Sequence, residues 1–285
     1  MAKRHREPKR KLFTVVLLLA VVLGALYWGN TSIETEPFTF TSAELPEGFD
    51  GFRITVLTDL HGRKFGKDNE KLFTAVEKQA PDLILLVGDL VDERTKDAES
   101  YAASLGAALS GFAPTHFVTG NHEWANGTDE TEALKMALTE SGVTVLSNEF
   151  CELLRDGDTV ILAGIDDPNG YADQKVPEAL AAEIYAAYGD PFWVLLAHRN
   201  DRFASQYSLL GADLTVSGHG HGGCIRLPLT DGLLGTQHEF FPSHTAGFYT
   251  DNGMKQFVSR GLGNVGHTFR VFNRPQVAVI TLERG

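Results

Sequence analysis

Five short stretches of the chain gather residue types that hold divalent metal ions: Asp59-Leu60-His61, Gly88-Asp89-Leu90-Val91-Asp92, Gly120-Asn121-His122-Glu123, Ala197-His198 and Gly218-His219-Gly220-His221-Gly222-Gly223. Carboxylate mixed with imidazole is a donor set suited to manganese, iron or zinc. The spacing of two in Asp59-x-His61 and His219-x-His221 puts both side chains on one face of an extended chain, so both can reach one site. The adjacent glycines let backbone pass close to ions and substrate. Each stretch alone says little, since Gly-Asp is usually a turn and a lone histidine at a strand end is more often a satisfied core or surface residue. Five in succession have no structural reason.

The elements that must position these residues form an alternating series. Short apolar runs read as strands at 53–58, 83–87, 115–119, 143–146, 160–163, 192–197, 214–217, 256–259 and 277–282. Amphipathic or Ala-rich stretches at 68–80, 98–109, 131–138 and 177–188 read as helices. The strands at 143–146 and 160–163 flank the turn Arg155-Asp156-Gly157-Asp158, and 222–266 is the irregular part. Alternation of this kind means an α/β domain with helices covering sheet faces. The five metal-type stretches each follow a strand, and in an α/β sheet the carboxyl ends of the strands form the ligand crevice.

The amino terminus has a different character. Lys3, Arg4, Arg6, Lys9, Arg10 and Lys11 against Glu7 give the first eleven residues +5, so the rest of the chain carries −17 of a total of −12. From Leu12 to Ile33 no residue is charged, and the run ends near Tyr27 and Trp28. About 20 apolar residues cross a bilayer, aromatic residues belong at its interface, and basic residues stay on the cytoplasmic side. A transmembrane signal anchor at 12–30 is therefore expected, with 1–11 cytoplasmic, 31–51 a polar linker and a catalytic domain at 52–285 outside the cytoplasm. A cleaved signal peptide is the alternative; no small-x-small cleavage site follows Val22, which favours the uncleaved anchor. The acidic body excludes a nucleic-acid surface, because phosphate backbones demand basic contacts. Two cysteines, Cys151 and Cys224, exclude a disulfide scaffold and are expected as free thiols.

With its five stretches in this order, the sequence resembles the calcineurin-like metallophosphoesterases from about Arg53 to the carboxyl terminus. It is most similar to the bacterial membrane-attached or exported subgroup, on Thr58-Asp59-Leu60-His61-Gly62, Gly164-Ile165-Asp166-Asp167-Pro168 and Ser259-Arg260-Gly261-Leu262-Gly263. The resemblance implies a central β-sandwich flanked by helices, with two divalent ions (Mn, Fe, Zn or Co) at one end. Carried over by position, Asp59, His61 and His221 bind one ion, Asn121, His198 and His219 the other, and Asp89 bridges them. His122 matches no ligand position; the family implies that it sits near the leaving-group oxygen as an acid or charge stabiliser. Cys224, after His-x-His-Gly-Gly, and Arg199-Asn200-Asp201 depart from the family pattern without touching a ligand position.

The function expected is metal-dependent hydrolysis of phosphomonoesters or phosphodiesters by two-metal activation of water. The substrate is expected at or near the envelope, a phospholipid or a cell-wall phosphate. A UDP-sugar lipid pyrophosphatase is the alternative among enzymes, and the exported topology argues against it because that chemistry is cytoplasmic. A non-catalytic metal-binding domain on the same scaffold is the alternative of another class; every residue of the set is present, which argues against it. Around the set, Asp92 is expected either behind a ligand or as a turn or cap, and Asp166 and Asp167 as structural. Asn69 and Arg63 are weighed between substrate entrance and plain loop, Phe240, Phe241, Phe248 and Tyr249 between lipid contact and loop packing. His116, His238 and His244 carry no motif, and His267 only follows one.

Overall fold

The computed structural model describes residues 7–227, 231–236, 239–266 and 268–285. In chain order the elements are α1 (Glu7–Thr31), β1 (Glu34–Ser42), β2 (Arg53–Leu57), α2 (Glu70–Glu77), β3 (Leu83–Val87), α3 (Ala98–Ser110), β4 (Thr115–Val118), α4 (Asn121–Ala125), α5 (Thr128–Glu140), β5 (Thr144–Val145), β6 (Glu149–Arg155), β7 (Asp158–Ile165), α6 (Pro177–Tyr188), β8 (Trp193–Ala197), β9 (Leu214–Ser217), β10 (Ile225–Arg226), β11 (Gly232–Leu234), β12 (Gly247–Asp251), β13 (Met254–Val258) and β14 (Gln276–Arg284).

Two six-stranded sheets carry the domain, ordered β1-β14-β2-β3-β4-β5 and β12-β13-β9-β8-β7-β6, and β10 with β11 forms a small ribbon. Strands β2 to β5 run parallel, as do β7, β8, β9 and β13; β14 is antiparallel to β2 and parallel to β1. The period-two alternation of strand side chains decides what each face does. Ile54 and Val56, Leu83, Leu85 and Val87, Val194 and Leu196, and Leu214 and Val216 meet between the sheets. Ile84, Leu86 and Phe117 face the other way, onto Leu72, Val76, Leu105, Leu109, Leu134 and Leu138 of α2, α3 and α5. Ile161, Ala163, Trp193 and Leu195 face outward from the second sheet onto Leu180 and Ile184 of α6. Helices cover both outer faces of a sandwich, the expected architecture. Burying each such aliphatic side chain contributes about 1.5–3 kcal/mol.

In helix α1, Arg10–Thr31 is long and apolar enough to cross a membrane. Its leucines and valines lie outside the fold, with Leu17, Leu18 and Leu19 each more than half exposed. Lys3, Arg4 and Arg6 fall outside the described residues.

Two departures from expectation concern strands. Residues 31–51, expected as a linker, hold β1, paired along its whole length with β14. Pro37 suggested a break, yet an edge strand tolerates proline on its unpaired side. Phe38 and Phe40 turn inward against Phe248 and Phe257. The strand preceding the Asp156-Gly157 turn is β6, not 143–146: Arg155 pairs with Asp158 and the hairpin runs back to Glu149 opposite Gly164. Asp156 and Gly157 both have positive φ (53° and 89°), the two-residue turn that fits hairpin twist.

Candidate metal centre

Strands β2, β3 and β4 are parallel neighbours in one sheet, and β8 and β9 in the other. Their carboxyl ends meet at one rim of the sandwich. Asp59 and His61 follow β2, Asp89 follows β3, Asn121 and His122 follow β4, His198 follows β8, and His219 and His221 follow β9.

The side chains converge in two groups. In the first, Asp59, His61, Asp89 and His221 bring ligand-type atoms within 4.8 Å of one another; in the second, Asp89, His198 and His219 do the same. Asp89 belongs to both. His221 Nε2 lies 3.1 Å from Asp59 Oδ1 and His61 Nε2 lies 3.9 Å from Asp89 Oδ2. His198 Nε2 lies 3.1 Å from the same Asp89 oxygen. Asn121 Oδ1 is buried without a hydrogen-bond partner. Its turn is held on the shared carboxylate, since the His122 N–H donates to Asp89 Oδ1 at 2.8 Å.

These residues are placed by turns, and the extended geometry expected of the x-separated pairs is not found. Asp59, His61, Asp89, His219 and His221 all have φ between 47° and 65°. Left-handed backbone is uncommon outside glycine and is retained where surrounding structure over-determines it, often at functional sites. Here the surroundings do so: the His219 N–H donates to Asp59 Oδ1 at 3.1 Å, and Asp59 N–H to the Gly88 carbonyl at 3.0 Å. A side chain on Gly88 would come within 2.6 Å of His198 Nδ1 and of the Gly120 nitrogen, so only glycine permits this approach.

Behind the converging atoms stand residues that fix their orientation. His198 Nδ1 lies 2.8 Å from the Val87 carbonyl. A carbonyl only accepts, so Nδ1 carries a proton and Nε2 is the nitrogen turned to the cluster, where a bound cation would displace its proton and take the lone pair. Asp92 is buried, with Oδ2 3.5 Å from His61 Nδ1, and it accepts from Arg94 Nε at 3.0 Å. It thus backs His61 and closes a turn, both of the roles weighed for it. Glu123, buried after Asn121 and His122, accepts from the N–H groups of Asp89 (2.9 Å), Gly120 (2.7 Å) and Val91 (3.2 Å). Neither Glu123 nor Arg270 was singled out in the sequence. Glu123 was legible as the acid three residues into a helix start, the position that reaches back to orphan N–H groups. Arg270, whose Nη2 lies 3.4 Å from His221 Nδ1 and donates to the Gly263 carbonyl at 2.6 Å, sits in a loop with no pattern to announce it.

The electrostatics follow from burial and proximity. Burial works to raise Asp59 and Asp89, but His221 beside the first and His198 beside the second hold both well below the usual carboxylate range. Burial would lower His198, and Asp89 outweighs it, so the ring is pushed up to about 10. Burial and the His198 charge push His219 down to about 4, and burial lowers His221 against the pull of Asp59. Glu123 is pushed up to about 7 by burial and by Asp89. Charged carboxylates, the neutral imidazoles of His219 and His221, a His198 ring that would give up its Nε2 proton to a cation, and an orphaned amide oxygen form a donor set that fits divalent cations.

His122 sits at the lip. Its ring is edge-on to His61 with centroids 4.8 Å apart, and Nδ1 is 3.6 Å from Glu93 Oε2. A cleft of about 430 Å³ opens beside His61, lined by Arg94, Lys96 and Asp97, and one of about 400 Å³ beside His219, lined by Asn200, Phe240 and Phe241. Those two phenylalanines are 74% and 75% exposed, whereas Phe248 packs on the core and the Tyr249 hydroxyl meets Asp231 at 3.1 Å.

The remaining residues are held by contacts within the fold, and Asn69 also lines the cleft beside His61. Asp166 takes the Thr119 hydroxyl (2.6 Å) and Lys135 (3.0 Å), and Asp167 takes Arg199 (2.7 Å). Asn69 accepts from the Phe65 N–H at 2.9 Å, and Arg63 donates to Asn264 at 3.1 Å and to the Asn30 carbonyl. Cys151 and Cys224 are free thiols, and neither joins the two groups. His116 lies 3.5 Å from Cys151 Sγ, and His244 stacks edge-on with Tyr249. His238 and His267 lie outside the described residues.

A family model for the calcineurin-like phosphoesterases matches residues 52–223. The metallophosphoesterase YkuE of Bacillus subtilis is 29% identical over 98% of this chain and 99% of its own length. The metallophosphoesterase Cj0846 of Campylobacter jejuni is 29% identical over 96% of this chain and 69% of its own. The phosphodiesterase YaeI of Escherichia coli is 29% identical over 81% of this chain and 82% of its own.

Proposed function

The chain belongs to the calcineurin-like phosphoesterase family, and on that premise we propose that it hydrolyses phosphomonoesters or phosphodiesters at a two-metal centre, as an exported, membrane-anchored enzyme. The observation that carries this is the shared carboxylate: Asp89 stands in both groups of ligand-type side chains at once. Asp59, His61 and His221 are assigned to one ion and Asn121, His198 and His219 to the other, with Asp89 between. When bound, a pair of divalent ions stabilises charge on phosphoryl oxygens and lowers the pKa of a water. The protein's own residues do the rest. Val87 and Asp92 fix the rings of His198 and His61. Glu123 holds the Asp89 and Gly120 turns together, so the ligands are preorganised. His122, at the lip and outside both groups, is assigned the proton for the leaving oxygen. The likeness to YaeI, a phosphodiesterase, supports the diester class. For localisation, the support is α1 with Arg10 and Lys11 before the apolar run and Tyr27 and Trp28 at its far end.

A screen of phosphomonoesters and phosphodiesters with Mn, Fe, Zn and Co added in turn tests the activity. Turnover that depends on metal supports it, and no turnover with any of the four defeats it. A reporter fused after Gly285 tests the topology: activity of one that works only in the cytoplasm defeats export.

A further inference from the structure

The last turn of α1 is fastened to one loop of the domain. Asn30 donates through Nδ2 to the Arg270 carbonyl at 2.9 Å and accepts from the Arg270 N–H at 2.9 Å. Asn264 donates to the same Asn30 oxygen at 3.1 Å. Arg274 donates to the Ile33 carbonyl at 2.7 Å and lays its guanidinium over the Trp28 ring at 4.4 Å. Helix and loop are therefore joined by hydrogen bonds at this junction.

The same loop borders the candidate metal centre. Arg270 reaches His221, and Asn273 donates to the His221 carbonyl at 2.7 Å. Arg94, which holds Asp92 behind His61, donates to the carbonyls of Gly266 and Asn264. One loop thus lies between the end of the apolar helix and both His61 and His221.

From that loop Phe269 and Phe272 project outward, each 69% exposed. They flank Arg270, the residue bonded to Asn30, and two residues reach at most about 7 Å. Phe272 has φ of +50°, a left-handed conformation costly for a bulky side chain. Its neighbours explain why it stays there: Val271 donates to the Cys224 carbonyl at 3.2 Å, and Asn273 is fixed on His221. The backbone thus presents an exposed aromatic ring that packing inside the domain does not use. Lys71 and Lys78, with Glu70, line a cleft of about 760 Å³ that also takes in Trp28.

We propose that Phe269 and Phe272 dip into the bilayer face from which α1 emerges, seating the domain so that its metal centre acts on phosphate esters carried by lipid headgroups. The occupant follows from α1: whatever membrane its apolar run spans ends at Trp28, within a few ångströms of Asn30 and therefore of this loop. Exposed aromatic rings next to the end of an apolar helix, with Arg274 over Trp28, are the composition of an interfacial contact. The inference rests on the membrane-anchored phosphoesterase reading above.

The test uses the full chain reconstituted in phosphatidylcholine vesicles. Trp28→Phe removes the one indole at the end of α1, since Trp124 and Trp193 are buried in the domain. Adding Phe272→Trp then reports on position 272. Blue-shifted emission, quenched by lipids brominated near the headgroup, is the expected result; emission of a water-exposed indole, unquenched, overturns the docking. A chain that fails to float with the vesicles overturns the anchor and the docking together. In parallel, Phe269→Ser with Phe272→Ser is expected to lose about tenfold or more turnover of phospholipid in vesicles. Its turnover of a soluble nitrophenyl phosphodiester should stay within about twofold of wild type. Equal effects on both substrates, or wild-type turnover of soluble esters alone, overturn the lipid assignment. A wild type that hydrolyses neither diester, nor nitrophenyl phosphate as a monoester, defeats the phosphoesterase reading, while the quenching still decides whether the loop docks.

Discussion

The Nε2 atoms of His61 and His221, carried to one rim by strands of opposite sheets, face each other at 3.1 Å. Without a cation one ring must donate its N–H to the other, while His221 also meets Asp59 and His61 meets Asp89. A divalent ion accepts both lone pairs. Metal binding should therefore stabilise the fold by linkage, by about 2.7 kcal/mol at free metal 100 times its Kd. For a domain of this size that is on the order of 5–10 °C in Tm. Calorimetry of chelated protein with Mn or Zn titrated back would show the rise, and a Tm indifferent to metal would count against the centre.

His122 separates chemistry from metal binding. It lies outside both ligand groups but touches the His61 ring. His122→Ala should keep its metal and lose roughly 10²–10⁴ in kcat on esters with poor leaving groups. The loss should shrink with a nitrophenol leaving group, whose oxygen needs little protonation. Equal losses on both kinds of ester would assign His122 to phosphate positioning instead.

Glu123 accepts from three buried N–H groups across two turns. Glu123→Ala leaves them unpaired at about 1–3 kcal/mol each, so a loss near 3 kcal/mol or more is expected, together with weaker metal binding. Glu123→Gln keeps one carbonyl acceptor and should lose less. Urea denaturation of the three proteins would measure this, and an alanine variant as stable as wild type would refute the role.

His116 supplies a pH signature away from the metal centre. Burial pushes its imidazole down to about 4, below the ordinary 6.5. Folding thus favours the neutral ring, and that stability is complete above about pH 6.5 and drains away as pH falls towards 4. His116→Gln should flatten the acid side of the stability curve over that window. Identical slopes in wild type and variant would show that the ring does not titrate as the structure implies.

The parts of the fold legible in the sequence are those where one local signal dominates. Leu83–Val87 is a continuous apolar run because both its faces are covered, and α6 announces itself with Pro177 at its first turn. Strand β1 was hidden because edge pairing with β14, 242 residues away, is a tertiary fact that Pro37 locally contradicts. Strand β6 was hidden by its exposed edge and weak alternation, although its turn was plain. At the site, residue types and order brought out every member of the two groups. The left-handed backbone that aims Asp59, His61, His219 and His221 was not legible, since the neighbouring glycines only hinted at it. Arg270 and the outward Phe269 and Phe272 act through a loop junction with α1, which no periodicity records.

Asp89 is the one carboxylate common to both groups of ligand-type side chains, so a two-ion centre depends on it most. Elemental analysis of purified wild type and Asp89→Ala, beside His61→Ala and His198→Ala, measures that directly. Two ions per wild-type chain are expected, about one in each histidine variant, and less than one in Asp89→Ala. Two ions retained in Asp89→Ala, or none in the wild type after metal loading, would contradict that dependence.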